Sequence, residues 1–291
     1  MTKLTVFTPT YNRAYLLPQL FNSLNRQTSK EFVWLVIDDG STDDTKSLIA
    51  NWQESAGFEI QYVVQENQGM HGAHNTAYDH CKTEFNVCVD SDDYMPDNGV
   101  ERILFHLKDL DKSFVGLIGL DANKVTGKVI GTMIPDNLTR VKINELYSVH
   151  GVSGDKKLVY RTEIVKQYPK YPLYEGERFV PLDYLYLLID QDYDLKPVNE
   201  VFCIVEYQED GSTKNILKQY RRHPNGFAFS RISRIKYGKT FKEQFKNAIH
   251  LVSSSIFAKN LGWLSKTDKG LLVASAIPFG ILLNLYIRIK S

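Results

Sequence analysis

The sequence predicts an α/β protein, with a mostly parallel sheet flanked by helices and a C-terminal helical extension. Two observations lead there. Over the first 120 residues, short β-rich runs alternate with helical patterns, as βαβ units do. Beyond residue 210 the composition turns to helices rich in Lys, Arg and Phe. The expected organisation is therefore an α/β domain over 1–210, followed by a basic, partly amphipathic helical region over 211–291.

Each element has its own signal. Leu4–Thr8 reads as the first strand, and Leu16, Leu17, Leu20, Phe21 and Leu24 then recur at helical spacing. Phe32–Ile37 is the second strand. Gly40 permits a turn after it, and Thr42 or Asp43 can cap a helix from Asp44. Ile60–Val64 and Phe85–Val89 are the third and fourth strands. Pro96 suits the start of a helix carrying Val100, Ile103, Leu104 and Leu107. Phe114–Leu120 is the fifth strand. Asn123–Pro135, with Gly127 and Gly131 among β-formers, reads as a hairpin at the sheet edge.

Composition narrows the class. The chain has 291 residues, Lys+Arg 35 against Asp+Glu 34, and 43% hydrophobic residues, which excludes a disordered chain. Cys81, Cys88 and Cys203 form no CxxC pair, which argues against a disulfide framework or a cysteine zinc site and for a reducing, cytoplasmic setting. The stretch Met1–Thr8 turns polar too early for a secretory signal.

Charge is unevenly spread. Between Lys214 and Lys246 stand ten basic residues and one acid, Glu243. Such a band binds anionic lipid or nucleic acid, or is a solvated helix face. The apolar stretch Gly270–Ile287 is interrupted by Ser275, Pro278, Gly280 and Asn284. It falls slightly short of the ~20 apolar residues of a spanning helix, so lying in the membrane interface or entering it partway is expected. A buried C-terminal helix is the alternative.

Chemistry is expected at the C-terminal ends of the strands, where open α/β sheets bind ligands. The first strand ends in Thr8-Pro9-Thr10-Tyr11-Asn12-Arg13, and the second in Asp38-Asp39-Gly40-Ser41-Thr42-Asp43-Asp44-Thr45. The third leads into Glu66–Asn75, and the fourth into Asp90-Ser91-Asp92-Asp93, a DxD sequence. Three carboxylates so close repel one another unless a cation sits among them, and hard oxygen ligands select Mg²⁺ or Mn²⁺. A surface turn or helix cap is the plainer reading of the same residues. Asp38 or Asp39 can accept from a base or a ribose. Gly69 and Gly72 allow close backbone approach beside a helix N-terminus, which favours negative charge. No GxGxxG or GxxxxGK[ST] is present, against dinucleotide and P-loop binding.

In this order and spacing, the four segments resemble family 2 glycosyltransferases of the GT-A fold. The resemblance implies a nucleotide-sugar donor, a UDP-sugar first among them, a divalent metal bridging its diphosphate, and transfer with inversion at the anomeric carbon. Thr8, Pro9 and Tyr11 would line the base pocket, Asp38 or Asp39 would contact the base, and Asp90 with Ser91 would meet the ribose side. Asp92 would be the main metal ligand and Asp93 the second, while Gly69, His71 and Asn75 match positions facing the nucleotide or its phosphates. Met70 stands where many relatives carry a lysine. The family's Glu-Asp pair is not present as such; Asp183 resembles the position of the general base, with Glu177 as its rival. Helix-dipole pairing for Asp183 and a surface ion pair for Glu177 are the non-catalytic alternatives.

The expected acceptor is a saccharide or lipid-linked saccharide, as in cell-surface polysaccharide synthesis, with the enzyme peripheral at the inner face of the cell membrane. A nucleotidyltransferase acting on a sugar phosphate is the alternative, weakened because Pro9–Arg13 holds no glycine to cradle a triphosphate. A nucleic-acid-binding module would use the basic band but leave the strand-end acids unexplained.

Overall fold

A computed structural model describes residues 2–206, 208 and 215–291; residue 210, Met1 and Lys214 lie outside the described residues. In chain order the elements are β1 Leu4–Thr10, α1 Leu17–Asn25, β2 Phe32–Asp38, α2 Thr45–Ser55, β3 Glu59–Val64, α3 Met70–His80, β4 Phe85–Cys88 and α4 Gly99–Leu107. There follow β5 Phe114–Asn123, α5 Ile143–Ser148, β6 Lys156–Arg161, α6 Thr162–Val165, α7 Asp183–Asp192 and β7 Asp194–Val205. The last helices are α8 Ile216–Arg222, α9 Pro224–Tyr237, α10 Phe241–Phe257 and α11 Gly270–Lys290.

The seven strands form one sheet in the order β3-β2-β1-β4-β6-β5-β7. β1 pairs in parallel with β2 and β4, β2 with β3, and β5 with β7; β6 alone runs antiparallel to its neighbours β4 and β5. β1 and β2 are buried at every position, which is why they read as unbroken apolar runs. The chain moves outward from β1 to β3 and then returns to β4 on the other side of β1. That reversal opens a crevice beyond the carboxyl ends of β1 and β4.

Two expectations about the sheet change. β6 and β7 join the five foreseen strands. β5 lies between them, so the Asn123–Pro135 segment does not hang from a sheet edge; its turn closes through Asn123 N–H to Lys128 O at 2.8 Å and returns as one bridge, Ala122 to Val129. The edges are β3 and β7.

The chain divides into two compact units, and they interleave rather than split once near residue 210. The first comprises Met1–Lys142, Gly151–Pro169 and Asp192–Gln208; the second comprises Ile143–His150, Lys170–Gln191 and Glu209–Ser291. The first unit's core is built around Trp34, which is fully buried and lies 6.2 Å from Phe21 and 5.9 Å from Trp52. In the second, Asp190 of α7 accepts from the N–H groups of Ile143 at 2.9 Å and Asn144 at 2.7 Å, and Lys239 pairs with Glu145 at 2.9 Å. These bonds tie the mid-chain segments to the C-terminal helices. Leu251 and Val252 of α10 pack there with Trp263 and with Val273 and Ala276 of α11.

Candidate active site

The loops after β1 and β2 are laced together at the crevice. Asn12 adopts φ 51°, a left-handed conformation that Asn tolerates. Its N–H donates to Ser41 Oγ at 2.9 Å and its side-chain oxygen accepts from Thr42 N–H at 2.7 Å, while Asp43 accepts from Ala14 N–H at 2.9 Å. Asp38 is buried; it accepts from Ser41 N–H at 2.7 Å and from the Tyr62 hydroxyl. Burial and Asp38 together hold that hydroxyl above its ordinary pKa. Asp39 accepts from Gln65 Nε2 at 2.7 Å and from the N–H groups of Gln68 at 2.8 Å and Gly69 at 2.7 Å. It thereby fixes the entry to α3, where Gly69 has φ 81°. His71, His74 and Asn75 lie on the buried side of that helix. His74 packs edge-on against Phe7 with ring centroids 5.0 Å apart, and burial pushes its pKa down to about 4.

The acids after β4 meet two cations from elsewhere in the first unit. Arg13 reaches Asp92 at 3.0 Å and Ser91 Oγ at 3.5 Å. Burial and then the neighbouring Asp90 hold the Asp92 carboxyl above its usual range, with Arg13 pulling it down. Asp93 turns toward β7, accepting from Glu206 N–H at 3.2 Å with Cys203 Sγ at 3.8 Å. Burial, reinforced by Asp90 and Asp92, pushes it up to about 8 against the pull of Lys157. Lys157, on β6, lies 4.0 Å from the buried Asp121 of β5. Burial disfavours its charge, but Asp121, Asp93 and Asp90 around it keep its pKa well above the ordinary value.

This donor set fits a divalent cation. Burial and the neighbouring Asp90 both disfavour the Asp92 carboxylate while Arg13 favours it, and a cation beside the two acids would favour it further. Among the described residues no group of three or more His, Cys, Asp or Glu is arranged to hold a metal by itself. One or two carboxylates completed by phosphate oxygens is the usual arrangement for Mg²⁺.

In the second unit, Asp183 opens α7. Its Oδ2 pairs with Arg234 Nε and its Oδ1 accepts from Ser230 Oγ at 3.2 Å. Glu177 is buried, with Oε1 accepting from Asn225 N–H at 2.9 Å and Asn225 Nδ2 at 2.7 Å, and Oε2 from Gly226 N–H at 2.9 Å. It caps the start of α9. Of the basic band, Arg231 also points inward, donating to Asn247 Oδ1 at 2.9 Å beneath the rings of Tyr220 and Phe227.

The model of Glycosyl transferase family 2 matches residues 5–168, the stretch that carries β1 to β6 and all the strand-end acids. The chain belongs to that family. A relative from Campylobacter jejuni, GalNAc(5)-diNAcBac-PP-undecaprenol beta-1,3-glucosyltransferase, is 35% identical over 106 residues, 36% of this chain and 34% of that protein. Poly(ribitol-phosphate) beta-N-acetylglucosaminyltransferase TarS from Staphylococcus aureus is 27% identical over 169 residues, 57% of this chain and 29% of that protein. The chain thus spans about a third or less of the length of these two relatives.

Among solved structures, residues 1–349 of S. aureus TarS in complex with UDP superpose with TM-score 0.60 at 17% identity, covering 99% of this chain and 92% of that one. The mannosyltransferase PcManGT from Pyrobaculum calidifontis, in complex with GDP-Man and Mn²⁺, gives TM-score 0.58 at 17% identity, covering 98% and 87%. Both likenesses show the fold, the GT-A arrangement of a mostly parallel sheet between helices.

Against the residues expected of a family 2 member, several side chains are occupied differently. Thr8 is fully buried and its hydroxyl accepts from Trp34 Nε1 at 3.0 Å, so that hydroxyl braces the core. Asp39 is spent on the α3 entry. Asp93 faces β7, and Glu177 serves α9. Pro9 is buried at the end of β1, Tyr11 is exposed just after it, and Asp38, Asp90, Ser91 and Asp92 stand at the strand ends as expected. Arg13, Lys157 and Asp121, which the structure sets beside or near these acids, were not among the residues the sequence singled out. Arg13 lay inside the quoted motif, but the others stand in strands with no motif around them. Thr10, whose buried hydroxyl has no hydrogen-bond partner among the described residues, belongs to the same strand end.

Proposed function

We propose that this family 2 member is an inverting, metal-dependent glycosyltransferase. It moves a sugar from a nucleotide-diphosphate sugar, UDP-sugar first, to a saccharide or lipid-linked saccharide of the cell surface, at the inner face of the membrane. The observation that carries the reading is the pair Asp90 and Asp92 at the end of β4, beside the sheet's reversal, with Arg13 holding Asp92 in place. The relatives' names support the acceptor class, one being a glycosyltransferase to a PP-undecaprenol-linked saccharide. The TarS complexes with UDP and UDP-GlcNAc, and that of PcManGT with GDP-Man and Mn²⁺, support the donor and metal.

The placements support the following roles. Asp92, with Asp90 beside it, would hold Mn²⁺ or Mg²⁺, which supplies charge neutralisation to the departing diphosphate. Asp93 would act behind it as a brace. Asp38, Pro9 and Tyr11 would bound the nucleotide side, with Ser91 beside the ribose. The α3 entry, with Gly69, His71 and Asn75, would present a helix N-terminus to the phosphates. Asp183 would accept the acceptor's hydroxyl proton while that oxygen bonds to the anomeric carbon. The bond from that carbon to the diphosphate oxygen breaks, and its electron pair leaves with the nucleoside diphosphate.

The test pairs two variants. Asp92→Ala should lose metal-dependent donor binding and donor hydrolysis, on the order of a hundredfold or more. Asp183→Asn should keep donor binding and lose transfer. Retained Mn²⁺-dependent turnover in the first variant would refute the metal assignment.

A further inference from the structure

α11 is apolar around its whole circumference, yet only one of its faces is covered. The covered face carries Val273, Ala276, Gly280, Asn284 and Ile287. Small residues there let α10 approach closely: a Cβ on Gly280 would stand 2.4 Å from Val252 Cβ, and Asn284 Nδ2 donates to Ser253 O at 3.2 Å. The opposite face carries Leu271, Leu282, Leu285 and Ile289 at helical spacing, with Leu271 91% and Ile289 81% exposed. A helix apolar on all sides belongs in a protein core or in lipid, and the second unit covers only one side of it.

The rim of the bare face is cationic. Lys266 and Lys269 precede the helix, and Arg288 and Lys290 end it. Arg221 of α8 donates to the Ser291 carbonyl, which brings that helix's basic residues to the same end. Phe241 of α10 is 71% exposed and stacks on Phe245, which packs on Phe279 of α11, so the apolar patch continues onto α10. Residues 215–291 hold fourteen Lys and Arg against two acids, Glu243 and Asp268.

We infer that this face of α11 docks in the plane of an anionic lipid bilayer, with its aliphatic side chains in the acyl boundary and its rim of cations among the head groups. The helix is long and apolar enough to cross a membrane by length and composition. Its packed face, however, runs along α10, which packs in turn on α9, and crossing would drag those charged helices into hydrocarbon. Apolar area together with basic charge is what holds such helices in the interface. The inference deepens the membrane partner proposed above. Its test reads lipid binding and no turnover, so either reading can fail alone.

The experiment is sedimentation of the full chain with phosphatidylcholine vesicles, with and without phosphatidylglycerol. The wild type should pellet with the anionic vesicles and be released by salt. Leu282→Glu with Ile289→Glu should partition roughly a hundredfold less while its thermal midpoint and circular dichroism stay unchanged. If that variant is misfolded, Arg288→Glu with Lys290→Glu, which spares the apolar face, should lose binding to the anionic vesicles. Wild-type protein that stays in the supernatant with both vesicle types overturns the proposal. So does a wild-type dimer in light scattering that becomes a monomer in the Leu282→Glu, Ile289→Glu variant, because the face is then a protein interface.

Discussion

Asp183 and Glu177 show how two acids only six residues apart take different work from their surroundings. Glu177 receives three donors at the start of α9, so Glu177→Gln should cost about 1–3 kcal/mol of stability and leave turnover per folded molecule nearly intact. Urea unfolding and transfer assays on one preparation separate the two effects. Asp183→Asn should do the reverse, removing transfer with a smaller change in the urea midpoint. His74 makes a prediction about acid. In the unfolded chain its pKa is about 6.5, and in the fold burial lowers it to about 4. Between those values the unfolded chain binds more protons, so stability is complete above about 6.5 and is lost as pH falls toward 4. His74's share should fall by about 2 kcal/mol from pH 7 to pH 5, read by urea unfolding as the difference between the wild-type and His74→Phe pH profiles.

Elements were legible where burial made them uniform. β1, β2, β4 and β5 are apolar runs because both faces of the sheet are covered. β6, Lys156-Lys157-Leu158-Val159-Tyr160-Arg161, hid behind its charge: Lys157 faces Asp121 across the strands, a pairing no local pattern encodes. β7 hid behind Pro197 and three register shifts against β5, which an edge strand tolerates. The acids after β4 were readable as a polar run on an apolar strand, but their partner Arg13 is nearly eighty residues away. The bond from Trp34 to Thr8 is not legible in the motif, because strand side chains alternate and the motif does not say which face each one takes. At Gly40, φ is 84° and an added Cβ would lie 3.2 Å from Asn67 N and Gln65 O. Gly40→Ala should therefore cost about 1–2 kcal/mol and weaken nucleotide binding, because the Asp38–Ser41 turn must shift; calorimetric denaturation and nucleotide titration would check both.

At the scale of the whole molecule, the family rests on residues 5–168, while the second unit carries Asp183, the proposed base, and the α11 face. Mid-chain segments 143–150 and 170–191 join that second unit through side-chain caps such as Asp190 on α5. Long-range bonds of that kind leave no periodic trace, so a single boundary near residue 210 was what the composition alone could suggest. The central claim is a nucleotide and metal site at the end of β4. The direct measurement is a thermal-shift panel of UDP, GDP, dTDP and CMP, with and without Mn²⁺, on wild type and Asp92→Ala, since a ligand that binds only the folded state raises the melting temperature. A rise with UDP that needs Mn²⁺ and disappears in Asp92→Ala is the expected result. No rise with any nucleotide, or an equal rise in the variant, would contradict it.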